Sequence, residues 1–274
     1  MRIESLAQSV EINSKLLETL NLEGENLICI AGRPGMGKTA LALHMVLEYV
    51  KTSAKSVYIF GFETSEAQII DRLIITLSEV DSYRFRQKAY SDEEKERIEL
   101  ARKQLSRLNL IIDATPILTV KEIEERIEGI DNLGLVVIDH DHLLCPNRKN
   151  KNRDQECNEI GRQLKRLSNQ KNVPIIITYH LSRRLERRRN KRPLMSDLNE
   201  IGVNANDMDT ICFVYREGYY FPLEKHDEAE IIISKNKHGY CGTIPLKWQS
   251  EFMKFNYSDD TCHDTVIRVI EKDS

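Results

Sequence analysis

The sequence has no apolar run long enough to span a membrane, and its first residues, 1–4, do not begin a signal peptide. Its six cysteines are scattered without a Cys-x-x-Cys pair, which favours reduced thiols over a structural zinc site. It also lacks internal repeats and low-complexity segments. The formal net charge is only −3, so any nucleic-acid-binding surface must be local. These absences predict a soluble, cytoplasmic globular protein with no membrane partner.

Strand-like and helix-like patterns alternate over the first two thirds of the 274 residues, a length that fits one large domain or at most two. The strand-like runs are continuously apolar, as expected for parallel strands covered on both faces. The pattern predicts an α/β fold with a mostly parallel central sheet, helices on both faces and an antiparallel C-terminal extension. The predicted strands are 27–31, 57–62, 110–113, 135–139 and 173–179, followed by 211–215, 229–234, 243–248 and 252–255 in the extension; helices are predicted within 65–108, after Thr119 and over 154–170.

Residues 32–39 read Gly-Arg-Pro-Gly-Met-Gly-Lys-Thr and match the phosphate-binding P-loop. An apolar strand precedes them and a helical pattern follows, which distinguishes a P-loop from a chance glycine-rich turn. In such a loop, backbone N–H groups and the helix N-terminus point at phosphate oxygens. The lysine reaches the β- and γ-phosphates, and the threonine hydroxyl coordinates Mg²⁺. We therefore predict a nucleoside triphosphate site with Mg²⁺, formed by Gly32, Arg33, Pro34, Gly35, Met36, Gly37, Lys38, Thr39 and Ala40.

ATP hydrolysis at a P-loop also needs an acid that holds Mg²⁺ and a base that orients water. Asp139 follows four apolar residues at the carboxyl end of a predicted strand, where ligands bind in such sheets, and is the predicted metal-binding acid. Glu63 ends the strand expected beside the P-loop strand; it is either the base or a solvated loop acid. Residues 140–142, His-Asp-His, lack an evident third ligand, so we interpret them as polar residues at the mouth of the site rather than a zinc centre.

A polar residue and a basic loop follow the apolar run at 173–179. His180 is a candidate for contacting the γ-phosphate. The loop 183–192 is the most basic stretch of the chain. Charge runs are commonly solvated loops, but a place beside a nucleotide site favours contact with nucleic-acid phosphates. The candidates for that contact are Arg183 and Arg184.

The motifs recur in a fixed order along residues 22–256. After the P-loop come Glu63 and Val-Ile-Asp139. The order is completed by Ser182-Arg183, then Lys191-Arg192-Pro193 with Ser196-Asp197-Leu198, and finally Phe213 to Glu217, Ala229 to Lys235 and Gly242-Thr243. This order resembles the C-terminal motor half of the replicative DNA helicase DnaB family.

The resemblance implies a RecA-like P-loop NTPase acting in DNA replication. It implies a hexameric ring that moves 5′-to-3′ along single-stranded DNA while hydrolysing ATP between subunits, with a helicase loader or primase as further partners. Lys38, Thr39 and Asp139 keep the roles given above, Glu63 becomes the catalytic base and His180 the γ-phosphate sensor. The resemblance also assigns a trans-acting pair, Lys235 and Lys237, and a DNA-contact loop containing Asn199, Glu200 and Gly202.

Three positions depart from the family pattern. His180 stands where the family usually has glutamine, Lys237 where it has a trans-acting arginine, and Asn199 where it has arginine. Lysine lacks the planar fork with which arginine stabilises charge in phosphoryl transfer, and asparagine brings no charge to DNA phosphates. We therefore expect slow turnover, weak DNA affinity and a shallow salt dependence.

The expected domain organisation is an N-terminal helical arm or linker remnant at 1–21, the ATPase domain at 22–256 and a polar tail at 257–274. Apolar residues at helical spacing in the arm predict a helix that packs either on its own domain or on a neighbouring subunit. Two other functional classes stay open. One is an ATP-binding accessory ring with little or no unwinding activity; the other, a recombinase or clock-type ATPase, fits the late motifs poorly.

Overall fold

The computed structural model describes residues 16–139, 144–145, 153–223, 225 and 227–257. A nine-stranded sheet runs through this part of the chain in the order β11-β10-β9-β8-β1-β7-β5-β2-β3. Its strands are β1 (Leu27–Gly32), β2 (Ser56–Gly61), β3 (Leu110–Asp113), β5 (Leu133–Asp139), β7 (Ile175–His180), β8 (Thr210–Tyr215), β9 (Glu228–Asn236), β10 (Gly242–Gln249) and β11 (Lys254–Tyr257), while β4 (Leu118–Thr119) and β6 (Leu144–Cys145) form a separate parallel pair.

Six strands of the large sheet are parallel and three are antiparallel. β8, β1, β7, β5, β2 and β3 pair in parallel, and β9 to β11 extend the sheet antiparallel beyond β8. The six parallel strands are joined through helices, and the three added strands through short turns. The predicted mostly parallel sheet with an antiparallel C-terminal extension is therefore confirmed.

Helices cover both faces of the sheet, and each face has its own apolar core. Alternate residues of β1 belong to different cores, because successive side chains of a strand point to opposite faces. The helices are α1 (Lys38–Thr52), α2 (Glu66–Ser78), α3 (Ser82–Gln87), α4 (Asp92–Leu105), α5 (Val120–Ile127), α6 (Arg153–Lys171), α7 (Met195–Asn199) and α8 (Glu217–Tyr220). α1 and α2 contribute to one core and α5 and α6 to the other.

The helices predicted within 65–108 are three in number, α2, α3 and α4. α2 ends at a left-handed residue, Glu79, and α3 ends at another, Lys88. α3 begins after Asp81, whose carboxylate accepts from the N–H groups of the first helical turn. α4 begins after Ser91, which forms a capping box with Glu94. The three helices share a small apolar cluster of their own.

Other predictions differ at element boundaries. The basic segment 183–192, predicted as a loop, begins with a 3-10 helix (Arg183–Arg187) capped by Ser182. The last strand starts two residues late, because Met253 has a positive φ and belongs to the preceding turn. Residues 16–20 are helical and their leucines pack into the core beside α1. Residues 1–15, 140–142 and 258–274 lie outside the described residues, so docking of the arm, the role of His140 to His142 and the tail stay predictions. No described helix is both long and apolar enough to cross a membrane.

Candidate functional site

Four adjacent strands end at the carboxyl edge of the sheet, where four of the predicted catalytic residues lie on or just after them. Gly32 at the end of β1 pairs with His180 at the end of β7. Asp139 at the end of β5 pairs with Gly61 at the end of β2, two residues before Glu63. Ligands of doubly wound sheets bind at this edge, where the strand order reverses. The P-loop, the acid and the sensor therefore meet at this edge. The prediction that the strand ending at Glu63 lies directly beside the P-loop strand is wrong, because β7 and β5 lie between β1 and β2.

The P-loop has a conformation that only glycine adopts without strain at two positions. Gly35 has φ of 79° and Gly37 has φ of 95°, both in the left-handed region. A Cβ on Gly37 would lie 2.7 Å from Cζ of Phe255, and one on Gly35 would lie 3.1 Å from the Tyr219 ring. Aromatic rings therefore pack against the loop just before α1 begins at Lys38. They leave no room for a side chain at Gly35 or Gly37.

Asp139 lies at the centre of a hydroxyl and carboxylate cluster beside the P-loop. Oγ1 of Thr39 donates to the Asp139 carboxylate, at 3.0 Å from Oδ1 and 2.8 Å from Oδ2. Oγ1 of Thr178, on β7, donates to Asp139 Oδ1 at 2.9 Å. Hydroxyl and carboxylate oxygens are the hard ligands that Mg²⁺ prefers, and Mg²⁺ is held in nucleotide sites by one or two such groups with phosphates and water. The donor set of Thr39 and Asp139 fits this ion.

Lys38 is almost completely buried, with 5% of its surface exposed. Its Nζ donates to the backbone oxygen of Arg33 at 3.1 Å, across the P-loop. The ammonium therefore lies inside the curve of the loop, where a phosphate would be held. Glu63 is exposed just beyond β2, and His180 is partly exposed at the end of β7.

A cavity of about 340 Å³ extends from the P-loop between α1, α2, α3 and the β10–β11 hairpin. Its lining includes Lys38, Thr39 and His180 and several side chains that sequence reasoning did not single out: Arg72, Thr76, Ser82, Arg86, Trp248, Ser250 and Met253. These residues come from distant positions of the chain without a recognisable motif. The one sequence signal for this side of the cavity was Trp248, the single tryptophan of the chain, in the predicted strand 243–248.

Arg216 stacks on this tryptophan. Its guanidinium carbon lies 4.7 Å from the centre of the Trp248 ring, and one of its nitrogens donates to the backbone oxygen of Gly35 at 3.0 Å. Burial lowers the pKa of Arg216 to about 10, which still leaves it cationic at neutral pH. Trp248 lines the cavity, so the stack places a cation against an aromatic ring of the cavity wall.

The basic segment after β7 is fixed by ion pairs at two of its arginines. Arg188 forms a bidentate pair with the buried Asp197, both oxygens lying 2.8 Å from its guanidinium, and Arg192 pairs with Glu230. Arg183 and Arg184 of the 3-10 helix are exposed. Asn199 and Glu200 are exposed at the end of α7, and Gly202 is buried just beyond them. The predicted DNA-contact residues thus lie on ordered elements after β7 rather than on a loose loop.

The predicted trans-acting lysines lie at the opposite edge of the sheet. The N–H of Lys237 donates to the backbone oxygen of Asp209, which itself pairs with Leu27 at the beginning of β1. The P-loop follows the other end of β1, five residue steps and thus roughly 17 Å away. Nζ of Lys235 donates to the backbone oxygens of Ala205 and Met208, and Nζ of Lys237 lies 3.4 Å from the Asp209 carboxylate. Neither lysine is placed to reach the phosphate site of its own chain.

Comparisons with known proteins agree with this arrangement. Residues 15–257 match the family described as the DnaB-like helicase C terminal domain. The chain is 32% identical to the replicative DNA helicase DnaB of Rickettsia typhi over 289 aligned positions, which cover 94% of the chain and 58% of that helicase. The chain thus spans little more than half the length of this relative.

Two solved structures are similar to the whole described fold. One, an ATPase domain, has a TM-score of 0.85 and 28% sequence identity, and the match covers 94% of this chain and 95% of that domain. The other, a DnaB-like replicative helicase studied with its interactions with primase, has a TM-score of 0.84 and 29% identity over 89% of this chain and 60% of its own. The RecA-like ATPase fold is therefore shown by relatives with recognisable sequence similarity.

Proposed function

The chain belongs to the DnaB-like helicase C-terminal domain family, and from that premise we propose that it is an ATP-driven motor that moves along single-stranded DNA as a ring. The observation that carries the proposal is the cluster of Thr39 and Asp139 against a complete P-loop. This cluster supports nucleotide hydrolysis rather than phosphate binding alone, because it supplies the hydroxyl and carboxylate oxygens that a phosphoryl-transfer site needs.

We assign each group of the site one task. Backbone N–H groups of the P-loop and Lys38 bind the phosphates, and Thr39 and Asp139 hold Mg²⁺, which when bound neutralises charge that develops on the transferred phosphoryl group. Glu63, exposed beyond β2, orients the attacking water, and His180 contacts the γ-phosphate. Arg72 and Arg86, together with the Arg216–Trp248 stack, enclose the nucleobase and ribose. ATP is the proposed substrate.

A ring is supported by the position of Lys235 and Lys237. They lie at the amino edge of the sheet and the P-loop at its carboxyl edge, so these lysines act only on a nucleotide bound to a neighbouring chain. A head-to-tail contact of this kind repeats around a closed ring or along an open filament, and the family resemblance favours the ring. We propose a hexamer on the strength of the family resemblance.

Single-stranded DNA is proposed to contact the elements that follow the nucleotide site. The exposed Arg183 and Arg184 bind phosphates, and Asn199 and Glu200 with the backbone at Gly202 position the strand. Translocation is proposed to run 5′-to-3′, in DNA replication, with a helicase loader or a primase as further partners. The primase contact is reported for the DnaB-like structure named above and is here part of the proposal.

One experiment tests hydrolysis between subunits. Lys38→Ala and Lys237→Ala chains should each be inactive alone, but mixed rings contain interfaces that join an intact P-loop to an intact Lys237. We expect DNA-stimulated ATPase to appear on mixing, with native mass spectrometry confirming mixed assemblies. Mixed rings without ATPase would contradict the trans role. Strand displacement on forks with only a 5′ or only a 3′ tail tests the direction.

The alternative is an ATP-binding accessory ring with little unwinding activity, and it is favoured by lysine at 237 and asparagine at 199. The Lys237→Arg and Asn199→Arg chains separate the two functions, with Lys121→Arg, on the exposed surface of α5, as the matched control. A large gain in unwinding from the first two changes would show that the missing arginines limit a motor. Persistent lack of unwinding in both chains would support the accessory ring.

A further inference from the structure

Arg33 connects the P-loop to the segment that follows β7. Its Nε donates to Oε1 of Glu186 at 2.8 Å, and one of its terminal nitrogens donates to the backbone oxygen of Leu181 at 2.7 Å. Both distances are those of charge-assisted hydrogen bonds. A P-loop side chain is thus engaged by the protein itself, so the role of Arg33 extends beyond a nucleotide contact.

The segment that Arg33 contacts carries two functional groups. Leu181 directly follows the sensor His180, and the N–H of Leu181 donates to the backbone oxygen of Gly32 at 3.1 Å. Glu186 lies within the 3-10 helix Arg183–Arg187, which carries the two exposed arginines proposed to bind DNA. Leu185 of this helix is buried in the apolar core on one face of the sheet.

The backbone of the same arginine contacts the phosphate-binding lysine. Nζ of Lys38 donates to the backbone oxygen of Arg33 at 3.1 Å. A lysine ammonium has three donors, so a bound phosphate would share this ammonium with the Arg33 oxygen. A continuous series of contacts therefore runs from Lys38 through Arg33 to Glu186 and the basic helix.

The ion pair is partly shielded from water, with side-chain exposures of 19% for Arg33 and 35% for Glu186. Burial raises the pKa of the nearby Tyr220 to about 12, and the charge of Glu186 adds to the increase while that of Arg33 opposes it. A pair of this kind contributes little net stability, but it joins the P-loop directly to the 3-10 helix. This geometry suits a positioning contact.

We propose that the Arg33–Glu186 ion pair couples occupancy of the P-loop to the position of the basic 3-10 helix, so that nucleotide changes DNA affinity and DNA changes hydrolysis. The DNA half of this inference rests on the proposed function. Coupling between two binding sites is reciprocal, so the factor by which nucleotide alters DNA affinity equals the factor by which DNA alters nucleotide affinity.

The first test compares Glu186→Gln with Glu159→Gln. Glu159 has the same 35% side-chain exposure and also pairs with an arginine, but within α6. We expect Glu186→Gln to keep the DNA-free kcat and KM for ATP and to lose at least about fivefold of the stimulation by single-stranded DNA. The control should keep full stimulation. Equal stimulation in both variants would overturn the proposal.

A double-mutant cycle asks whether the two residues act as a unit. If they do, Arg33→Gln with Glu186→Gln should reduce the stimulation no further than either single change does. Multiplicative losses in the double variant would overturn the pairwise coupling.

A second measurement needs no DNA and separates this inference from the proposed function. Hydrogen exchange at the amides of residues 183–188 is followed with and without a non-hydrolysable ATP analogue. In the wild-type chain the analogue should change these rates, and in Glu186→Gln it should not, whether or not the chain responds to DNA. Unchanged rates in the wild-type chain, with binding of the analogue verified, would overturn the coupling.

Discussion

Asp209 links the beginning of β1 to Lys237, just beyond the end of β9, and its replacement by asparagine should destabilise the fold measurably. The carboxylate is buried, accepts from the N–H of Leu27 at 2.9 Å and lies 2.7 Å from Nζ of Lys165. Lys237 lies farther away, at 3.4 Å, and is largely exposed, so its contribution is small.

The size of the loss follows from these contacts. A hydrogen bond to a charged group contributes about 1.5–3 kcal/mol, and removal of one partner leaves the other charge without compensation. Only 22% of the Lys165 side chain is exposed, so water compensates it incompletely. We expect Asp209→Asn to lower the free energy of unfolding by about 2–3 kcal/mol at neutral pH.

Urea denaturation measures this change, with Asp92→Asn as the matched control. Asp92 also lies 2.7 Å from a lysine nitrogen, but the pair is exposed on α4, so no measurable loss is expected. A cycle with Lys165→Met should give a coupling free energy above about 1 kcal/mol for Asp209. A loss no larger than that of the control, or a coupling near zero, would refute the reasoning.

The pH dependence of this contribution has a definite sign. Burial alone would raise the pKa of Asp209. The hydrogen bonds from Lys165 and from the Leu27 N–H together lower it by more, so the pKa is below the ordinary carboxyl value. A carboxyl group whose pKa is lower in the folded state stabilises the fold at pH values above its unfolded-state pKa of about 3.9. This stabilisation is lost as the pH falls through the pKa of the folded state. The difference in unfolding free energy between wild type and Asp209→Asn should therefore be constant from about pH 8 to about pH 5 and shrink in more acidic solution.

Three further predictions concern the site and the backbone. Asp139→Asn should bind nucleotide but hydrolyse it at least about 100-fold more slowly, because the carboxylate that Thr39 contacts is lost; steady-state ATPase measures this, and near-normal turnover would remove the residue from the mechanism. Gly37→Ala should abolish nucleotide binding by fluorescence titration, since its Cβ would meet Phe255 at 2.7 Å; unimpaired binding would contradict the packing described. Ile117→Gly should stabilise the fold by up to about 1 kcal/mol, because Ile117 has a left-handed φ of 61° and is 56% exposed. The control Ile111→Gly, in β3, should destabilise the fold. Thermal denaturation measures both, and a lower melting temperature for Ile117→Gly would show that no strain is stored at this position.

The sheet and the centre of the site were predictable from the sequence because they depend on short, local patterns. Buried parallel strands are continuous apolar runs, and the P-loop needs its glycines within eight residues. Asp139 was identified at a strand end, and the register places it beside Thr39. The carboxyl ends of parallel strands lie at one edge of the sheet, so residues at or just after these ends can be predicted to lie close together.

The nucleobase side of the cavity was not predictable in the same way. Arg72 and Arg86 come from two different helices, and Trp248 from a hairpin more than 160 residues later. Only tertiary packing brings these three side chains to one wall of the cavity, so no local sequence pattern predicts that they meet. The same holds for the contact of Arg33 with Glu186, which spans 153 positions.

The interruption of 65–108 shows a third limit. The sequence predicted helices within 65–108 but not the residues at which each one ends. Each break is set by a single residue in the left-handed conformation followed by a new N-cap. Neither residue is a glycine, the type that usually occupies this position, so the usual C-terminal signal was missing.

The most direct test of the account is steady-state ATP hydrolysis with and without single-stranded DNA, with Lys38→Ala as the inactive control. A ring motor predicts turnover that is slow without DNA, strongly increased by DNA and absent in the control. Nucleotide binding with negligible turnover in both conditions, or robust turnover indifferent to DNA, would contradict the claim that this site drives movement along a strand.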